Sequence, residues 1–128
     1  MAAHHRVDRL VAFFDSNKSQ LDGPTDEICG LGDLPEKLRQ FGWYTQVVDG
    51  HNVEEICDAV MRAKEHTGGP SAIVLNTEKG YGCPNALQLP TCHAVNYDTE
   101  KAKAVGAADI AYLQNRIDVL VEEGRRLQ

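Results

Sequence analysis

Three short strand-like segments, each followed by a polar turn that contains glycine, constrain the fold of this chain more than any other feature. They lie at residues 11–14, 43–48 and 71–76. The first is an unbroken apolar run, as expected of a parallel strand covered on both faces. Helix-like segments lie between them, and strand–helix–strand alternation predicts right-handed parallel crossovers. We therefore expect an α/β fold: a three-layer sandwich with a short, mainly parallel sheet.

Two segments between the predicted strands are predicted to be helical. Residues 33–42 form the first, because Pro35 fits the first turn of a helix and Gly42 fits its C-terminal stop. Residues 53–67 form the second, because their apolar side chains recur at helical spacing and a Gly-Gly-Pro sequence ends them. The stretch at 22–26 is predicted to form turns, and residues 83–98 a long loop.

A C-terminal segment, residues 99–128, is predicted to be largely helical, with Gly106 as the candidate break. Its apolar stripe consists of Ile110, Leu113, Ile117, Leu120 and Leu127. This stripe is close to a short heptad seam, so it packs either on the sheet or on a twin helix. We expect residues 1–128 to form a single domain. A three-stranded sheet should leave at least one edge open unless another chain or the N-terminal residues cover it.

The net charge of −6 argues against nucleic acid or an anionic membrane as a partner, because both attract basic surfaces. It also means that an anionic cofactor needs a metal ion or local hydrogen-bond donors. No apolar run approaches the length of a membrane-spanning helix. Residues 1–9 lack the hydrophobic core of a secretory signal. The expected location is the cytoplasm.

The cysteines form no CxxC pair and no disulfide framework. They are found at positions 29, 57, 83 and 92. Reduced thiols that serve mostly as packing groups are therefore expected. A zinc site remains an alternative, because Cys83, Cys92 and His93 are close in sequence and His51 or Cys57 would add a ligand.

The loop after the first apolar run is the best candidate for a binding site. Open α/β sheets bind ligands at the carboxyl ends of their strands, and Asn17 lies in the polar turn that follows this run. Its side-chain carbonyl is a hard, neutral oxygen donor, which suits Mg²⁺ that also binds phosphate oxygens. The alternative is that Asn17 only caps the turn through its own backbone.

Several segments, in order, resemble transketolases. Residues 13–27 (Phe-Phe-Asp-Ser-Asn-Lys-Ser-Gln-Leu-Asp-Gly-Pro-Thr-Asp-Glu) resemble the strand and loop that follow the metal-binding Asp of that family. Phe-Gly-Trp at 41–43 and Val-Val-Asp-Gly-His at 47–51 resemble its next helix end and strand. The segment at 70–82 resembles the following strand and glycine turn. The chain resembles the later part of the diphosphate-binding domain in the N-terminal section of transketolase.

The resemblance implies a role for five residues. Asn17 would be a side-chain ligand of magnesium, and Ser19 would add its backbone carbonyl. Lys79 and Gly80 would lie against the thiazolium ring of thiamine diphosphate. His93 comes eleven residues after the last glycine of the turn. That spacing matches the family's His that contacts the cofactor and the sugar, so His93 is the catalytic and cofactor-binding candidate.

Two departures from the family affect the expected activity. The family has His-Gly where this chain has His93 and Ala94, and alanine resists backbone angles that glycine adopts. The other half of the metal motif is a Gly-Asp-Gly turn about thirty residues upstream in the family, and only sixteen residues precede Asn17. We therefore expect that turn, and the pyrimidine-binding domain, to be absent from this chain. The chain alone should bind the metal weakly.

Two functions from different classes follow. In the first, the chain is one piece of a transketolase that moves a two-carbon ketol unit between sugar phosphates, inactive alone and completed by other transketolase segments. In the second, it is a non-catalytic remnant or assembly protein that forms a homo-oligomer. An unrelated binder of small phosphates is a third reading, since residues 80–82 offer backbone amides.

Overall fold

A parallel three-stranded sheet organises the N-terminal part of the chain. The structure, a computed structural model, describes residues 1–89 and 96–126. The strands are β1 (Val11–Ser16), β2 (Tyr44–Asp49) and β3 (Ser71–Asn76), and they are arranged in the order β1-β3-β2 with all pairs parallel. The predicted α/β fold with a short parallel sheet is confirmed.

The register of the strands brings their carboxyl ends level. Ser16 of β1 and Asp49 of β2 both lie opposite Asn76 of β3. The polar residues that follow each strand therefore emerge along one edge of the sheet, where α/β proteins bind ligands. Within residues 1–89 and 96–126, β1 and β2 each pair on one side only, as expected for a sheet of three strands.

Within residues 1–89 and 96–126 the chain forms four α-helices and one 3₁₀ turn besides the sheet. They are α1 (Thr25–Cys29), α2 (Leu34–Gln40), α3 (Val53–Glu65), the 3₁₀ turn Ala86–Gln88 and α4 (Glu100–Arg126). Helices α2 and α3 confirm the two predicted internal helices. Helix α1 was not predicted; it begins at Thr25, near the end of the turn-rich stretch at 22–26. No described helix combines the length and the apolarity needed to cross a bilayer.

Helix α4 continues through Gly106, so the candidate break is wrong. A Cβ built on Gly106 would come within 2.7 Å of the Tyr97 ring. Glycine at this point therefore lets the aromatic ring lie against the helix backbone. Glycine has a low helix propensity, which the helix tolerates at this position.

Helices cover both faces of the sheet and make it a three-layer structure. On one face α3 packs in a core that consists of Val48, Ala59, Ala63 and Ile73. On the other face α2 packs in a core that consists of Leu38, Ala72 and Val74, with Phe14, Leu34 and Trp43 at its margin. Alternate residues of β3 thus enter opposite cores, which explains the uninterrupted apolar run in this strand.

The described chain divides into two compact units. The first, Met1–Glu78, contains the sheet with α1, α2 and α3, and the second begins at Lys79 and contains the 3₁₀ turn and α4. Each unit is described by itself below. The expectation of a single domain over residues 1–128 stays a prediction.

Candidate metal-binding loop

A cavity of about 320 Å³ opens beside the loop that follows β1. Its polar lining includes Asp15, Asn17, Ser19, Gln20, Thr25 and Asp26. These residues belong to the end of β1, the turn after it and the start of α1. Oxygen-bearing side chains therefore surround the cavity at the carboxyl edge of the sheet, where sequence reasoning placed a site.

Asn17 caps its own turn and still keeps acceptor capacity. Its Nδ2 donates to Oδ2 of Asp15 over 3.1 Å, and its Oδ1 accepts the backbone N–H of Ser19 over 3.0 Å. The capping alternative therefore describes this turn correctly. A carboxamide oxygen has two acceptor sites, and capping uses one of them. Capping and metal binding by Asn17 are thus compatible.

The carbonyl of Ser19 lies on the same side of the turn as Oδ1 of Asn17. Ser19 is opposite Pro24 in an isolated antiparallel bridge. The flanking hydrogen bonds run from Thr25 N–H to the Lys18 carbonyl (3.0 Å) and from Gln20 N–H to the Gly23 carbonyl (2.8 Å). Ser19 and Pro24 therefore form a non-hydrogen-bonded antiparallel pair, in which the backbone N–H and carbonyl of Ser19 both point away from Pro24. Because the N–H of Ser19 reaches Asn17, its carbonyl points to that side too.

Lys18, between Asn17 and Ser19, reverses the backbone of the turn. Its φ of +61° lies in the left-handed region, which a residue with a Cβ rarely adopts. Such a conformation costs about 1 kcal/mol or more and persists only where its surroundings impose it. The strain lies between Asn17 and Ser19, the two residues that sequence reasoning named as metal ligands.

Asp15, near the end of β1, and Thr77, just after β3, support the loop. Asp15 begins the candidate loop but was given no role from the sequence, and Thr77 was not predicted. Oδ1 of Asp15 accepts the hydroxyl of Thr77, while Oδ2 accepts from Asn17. Thr77 directly follows β3, the neighbour of β1. The available signal was the position of Asp15, two residues before Asn17. The partnership with Thr77 joins residues 62 positions apart and depends on strand register.

The end of β2 is tied to the end of β3 in a similar way. Nε2 of His51 accepts the backbone N–H of Glu78 over 2.9 Å. Gly50 lies so close to β3 that an added Cβ would be 3.0 Å from Cβ of Leu75 and would also overlap Thr77. These contacts hold the segment after β3 against the turn after β2.

The remaining predicted site residues do not belong to this loop. Lys79 and Gly80 begin the second unit, in which Gly80 has a φ of +72°. A Cβ on Gly80 would be 2.7 Å from the Leu87 side chain, so only glycine fits this turn. His93 lies outside the described residues. The structure therefore brings Asn17 and Ser19 together, and describes Lys79 and Gly80 as part of a separate turn.

A buried carboxylate organises the second unit. Asp109 on α4 is 4% exposed and accepts three hydrogen bonds of 2.9 Å, from the backbone N–H and Nδ2 of Asn85 and from the N–H of Ala86. Burial raises the pKa of Asp109, but these hydrogen bonds lower it, and the net pKa lies below 3.8. The ionised side chain therefore fixes the start of the 3₁₀ turn to α4.

The three described cysteines are free, and their burial differs from the prediction for two of them. Cys29 and Cys57 are exposed and Cys83 is partly buried, so the expectation of packing groups is wrong for the first two. Cys29 ends α1, a helix without buried residues, and Cys57 faces solvent on α3. Across residues 1–89 and 96–126, no three His, Cys, Asp or Glu side chains converge on a metal position. Cys92 and His93 of the zinc alternative lie outside these ranges.

Comparison with known proteins decides the family. A family model described as transketolase, thiamine diphosphate binding domain, matches residues 1–117. The chain belongs to the transketolase family. This confirms the resemblance to transketolases drawn from the sequence.

Relatives in the transketolase family extend well beyond the region they share with this chain. The 6-deoxy-6-sulfo-D-fructose transketolase subunit SqwG of Clostridium sp. (strain MSTE9) is 45% identical over 106 residues, which are 83% of this chain and 38% of that protein. Human transketolase-like protein 2 is 38% identical over 104 residues, 81% of this chain and 17% of that protein. This chain thus spans well under half of each of these relatives.

Solved transketolases share the fold. A transketolase mutant from Pichia stipitis superposes with a TM-score of 0.63 at 23% identity, over 97% of this chain and 21% of that chain. The Campylobacter jejuni transketolase superposes with a TM-score of 0.60 at 24% identity, over 64% of this chain and 13% of that chain. At these identities the likeness supports the α/β fold of the thiamine diphosphate-binding domain.

Proposed function

We propose that this chain supplies part of the magnesium and diphosphate site of a thiamine diphosphate-dependent transketolase. The reaction transfers a two-carbon ketol unit between sugar phosphates. One observation carries the proposal: Oδ1 of Asn17 and the carbonyl of Ser19 face the same side of a strained turn, beside an oxygen-lined cavity. Membership of the transketolase family supports thiamine diphosphate as the cofactor.

The donor set of the loop fits Mg²⁺. This ion prefers hard oxygen ligands in octahedral geometry and keeps waters or phosphate oxygens in its other positions. Asn17 and Ser19 offer two neutral oxygens, so the ion retains charge with which to bind a diphosphate. The 128 residues contain no Gly-Asp-Gly sequence. We propose that a further segment or a partner chain supplies the charged ligand, and that the site is weak without it.

Other residues of the chain take the remaining roles in this proposal. Lys79 and Gly80 form the turn that lies against the thiazolium ring, and His93 reaches the diphosphate and the sugar. The bound cofactor supplies the carbanion-stabilising chemistry, while the protein binds and orients it. Ala94 follows His93 where the family has glycine, which restricts the backbone next to that histidine.

The test is titration calorimetry of thiamine diphosphate, with and without Mg²⁺, into the wild-type chain and two variants. Asn17→Ala removes the proposed ligand. Asn96→Ala is the matched control, because Oδ1 of Asn96 also accepts the N–H two residues later (Asp98, 3.0 Å). We expect weak, magnesium-dependent binding that Asn17→Ala weakens by more than about tenfold and Asn96→Ala leaves unchanged. The proposal is wrong if Mg²⁺ has no effect or if both variants bind as the wild type does.

A second candidate is a non-catalytic protein that self-associates. The observation that favours it is an exposed apolar stripe on α4. The exposed fractions are 70% for Ile110, 39% for Leu113, 53% for Ile117 and 58% for Leu120. Isoleucine and leucine alternate here at heptad spacing, the arrangement that favours pairs of helices. This candidate predicts a homo-oligomer that forms without thiamine diphosphate or Mg²⁺.

A further inference from the structure

We propose that Asp15 and Thr77 are positioning residues that orient the amide of Asn17 toward a metal ion. The inference rests on the proposed function, since it concerns how the metal ligand is held. Neither residue is itself a ligand in this account. Residues that fix the orientation of a metal ligand commonly change metal affinity by about 10- to 100-fold when altered.

Asp15 determines which end of the Asn17 amide faces the sheet. A carboxamide has a donor end and an acceptor end, and a half-turn exchanges them. An ionised carboxylate only accepts hydrogen bonds, so Oδ2 of Asp15 requires Nδ2 of Asn17, 3.1 Å away. Oδ1 is thereby directed to the opposite side, where the Ser19 N–H lies. Two partners thus select one of the two amide orientations.

Thr77 determines the orientation of Asp15. Its hydroxyl donates to Oδ1 of Asp15, the carboxylate oxygen that Asn17 does not use. Each oxygen of Asp15 therefore already accepts a hydrogen bond from the protein. This occupancy favours an indirect role for the carboxylate over direct contact with the ion. It also links the metal loop after β1 to the residue that follows β3.

Thr77 is in turn held by contacts from the segment after β2, the other edge strand of the sheet. Glu78, the next residue, donates its N–H to Nε2 of His51 after β2, and Gly50 packs against β3 without room for a Cβ. The hydrogen bonds thus run along the carboxyl ends of all three strands and finish at Asn17. Every member of this network belongs to the first unit.

Thr77→Val tests the network without changing the charge of the site. Thr45→Val is the matched control, because the Thr45 hydroxyl lies on β2 and donates to the Trp43 carbonyl over 3.2 Å, outside the network. We expect Thr77→Val to weaken magnesium-dependent binding of thiamine diphosphate by about tenfold. Thr45→Val should bind as the wild type does. Equal affinity of all three proteins would overturn the proposal.

A double-mutant cycle separates positioning from simple charge. If Asp15 acts through Asn17, Asp15→Ala weakens binding in the wild type and has no further effect in the Asn17→Ala background. If Asp15 acts only as a nearby negative charge, the Asp15→Ala substitution weakens binding by the same factor in both backgrounds. The first result supports the proposal and the second overturns it.

Nitrogen-15 NMR of the metal-free protein distinguishes failure of this inference from failure of the proposed function. The Asn17 side-chain NH₂ signal should shift and exchange faster with water in Asp15→Ala and Thr77→Val, and stay unchanged in Thr45→Val. Unchanged signals in all variants would overturn the positioning role. If the wild type shows no magnesium-dependent binding, the proposed function fails and the metal part of the inference fails with it. The NMR comparison then still decides whether Asp15 and Thr77 orient the amide.

Discussion

At the scale of single residues, one atom of Asn17 carries both a structural and a proposed chemical task. Its Oδ1 closes the turn by accepting the Ser19 N–H and retains a second acceptor site for a cation. Removal of the side chain therefore acts on the turn as well as on metal affinity. The Asn96→Ala control opens a turn of the same kind elsewhere in the chain, so it shows whether loss of such a turn lowers the stability of the whole protein enough to affect binding.

Ser71 offers a stabilising substitution. It is fully buried, and within the described residues its hydroxyl has no hydrogen-bond partner. A buried hydroxyl without a partner is costly, so Ser71→Ala should raise the free energy of unfolding by about 1 kcal/mol. Urea unfolding measures the change. Ser16→Ala on β1, whose side chain is only partly buried, should stay within about 0.5 kcal/mol of the wild type. A clear loss of stability in Ser71→Ala would show that the Ser71 hydroxyl makes a hydrogen bond after all.

Gly50 should not tolerate a side chain. Its Cβ would be 3.1 Å from the Asn76 carbonyl and would overlap Thr77, so Gly50→Ala must displace the end of β3. We expect a loss of about 1–3 kcal/mol in the free energy of unfolding. Gly30→Ala is the control, because its Cβ would meet only ordinary contacts, at 3.6 Å and beyond. Equal effects of the two substitutions in thermal unfolding would contradict the close packing at Gly50.

At the scale of secondary-structure elements, sequence reasoning succeeded where burial produces a repeating pattern. All three strands were predicted within two residues of their ends. The four buried residues at the start of β3 make it the clearest of the three, and β1 and β2, although only partly buried, each end in polar residues. Helix α1 was missed because its five residues bury nothing and so leave no apolar period. The continuity of α4 at Gly106 was missed because it depends on Tyr97, nine residues away.

Asp109 gives the second unit a predictable dependence on pH. Its pKa is lower in the folded chain than the ordinary 3.8. The hydrogen bonds that lower it therefore stabilise the folded state above that value, and their contribution is lost as the pH falls through the folded-state pKa. The contribution should be complete at neutral pH and disappear only below about pH 4.

Hydrogen exchange at Asn85 and Ala86 measures this dependence. After correction for intrinsic rates, the protection of both amides should fall as the pH drops below about 4. Asp109→Asn should exchange about tenfold faster at neutral pH and lose the acid dependence. Asp118→Asn, on the exposed part of α4, is the control for the loss of one negative charge. It should keep the acid dependence of protection. Protection that is equal in the wild type and Asp109→Asn would contradict the role of this carboxylate.

At the scale of the whole molecule, the site was only partly predictable. Asn17 and Ser19 are two residues apart, so a local motif was enough to name them, and in the structure the Ser19 N–H donates to Oδ1 of Asn17. Their role as metal ligands stays a prediction. Asp15 and Thr77 were missed because their contact requires β1 to pair with β3 in a fixed register. Lys79 and Gly80 belong to the second unit and His93 lies outside the described residues, so their shared site with Asn17 stays a proposal.

Self-association should depend on the α4 stripe. Leu120→Lys places a charge within the stripe and should weaken any self-association by about tenfold or more. Asn115→Lys adds the same charge to an exposed position of α4 outside the stripe and should leave it unchanged. Sedimentation equilibrium over a range of concentrations measures both variants. A wild-type chain that stays monomeric throughout would contradict the second candidate function.

The most direct test of the central claim is paramagnetic mapping with Mn²⁺, which accepts the same oxygen ligands as Mg²⁺. Substoichiometric Mn²⁺ is added to nitrogen-15-labelled protein in the presence of thiamine diphosphate, and the broadening of each amide signal is measured. The account predicts the strongest broadening at Asn17 and Ser19, with loss of that broadening in Asn17→Ala. Broadening centred on the acidic residues of α4, such as Glu122 and Glu123, with the β1 loop unaffected, would contradict it.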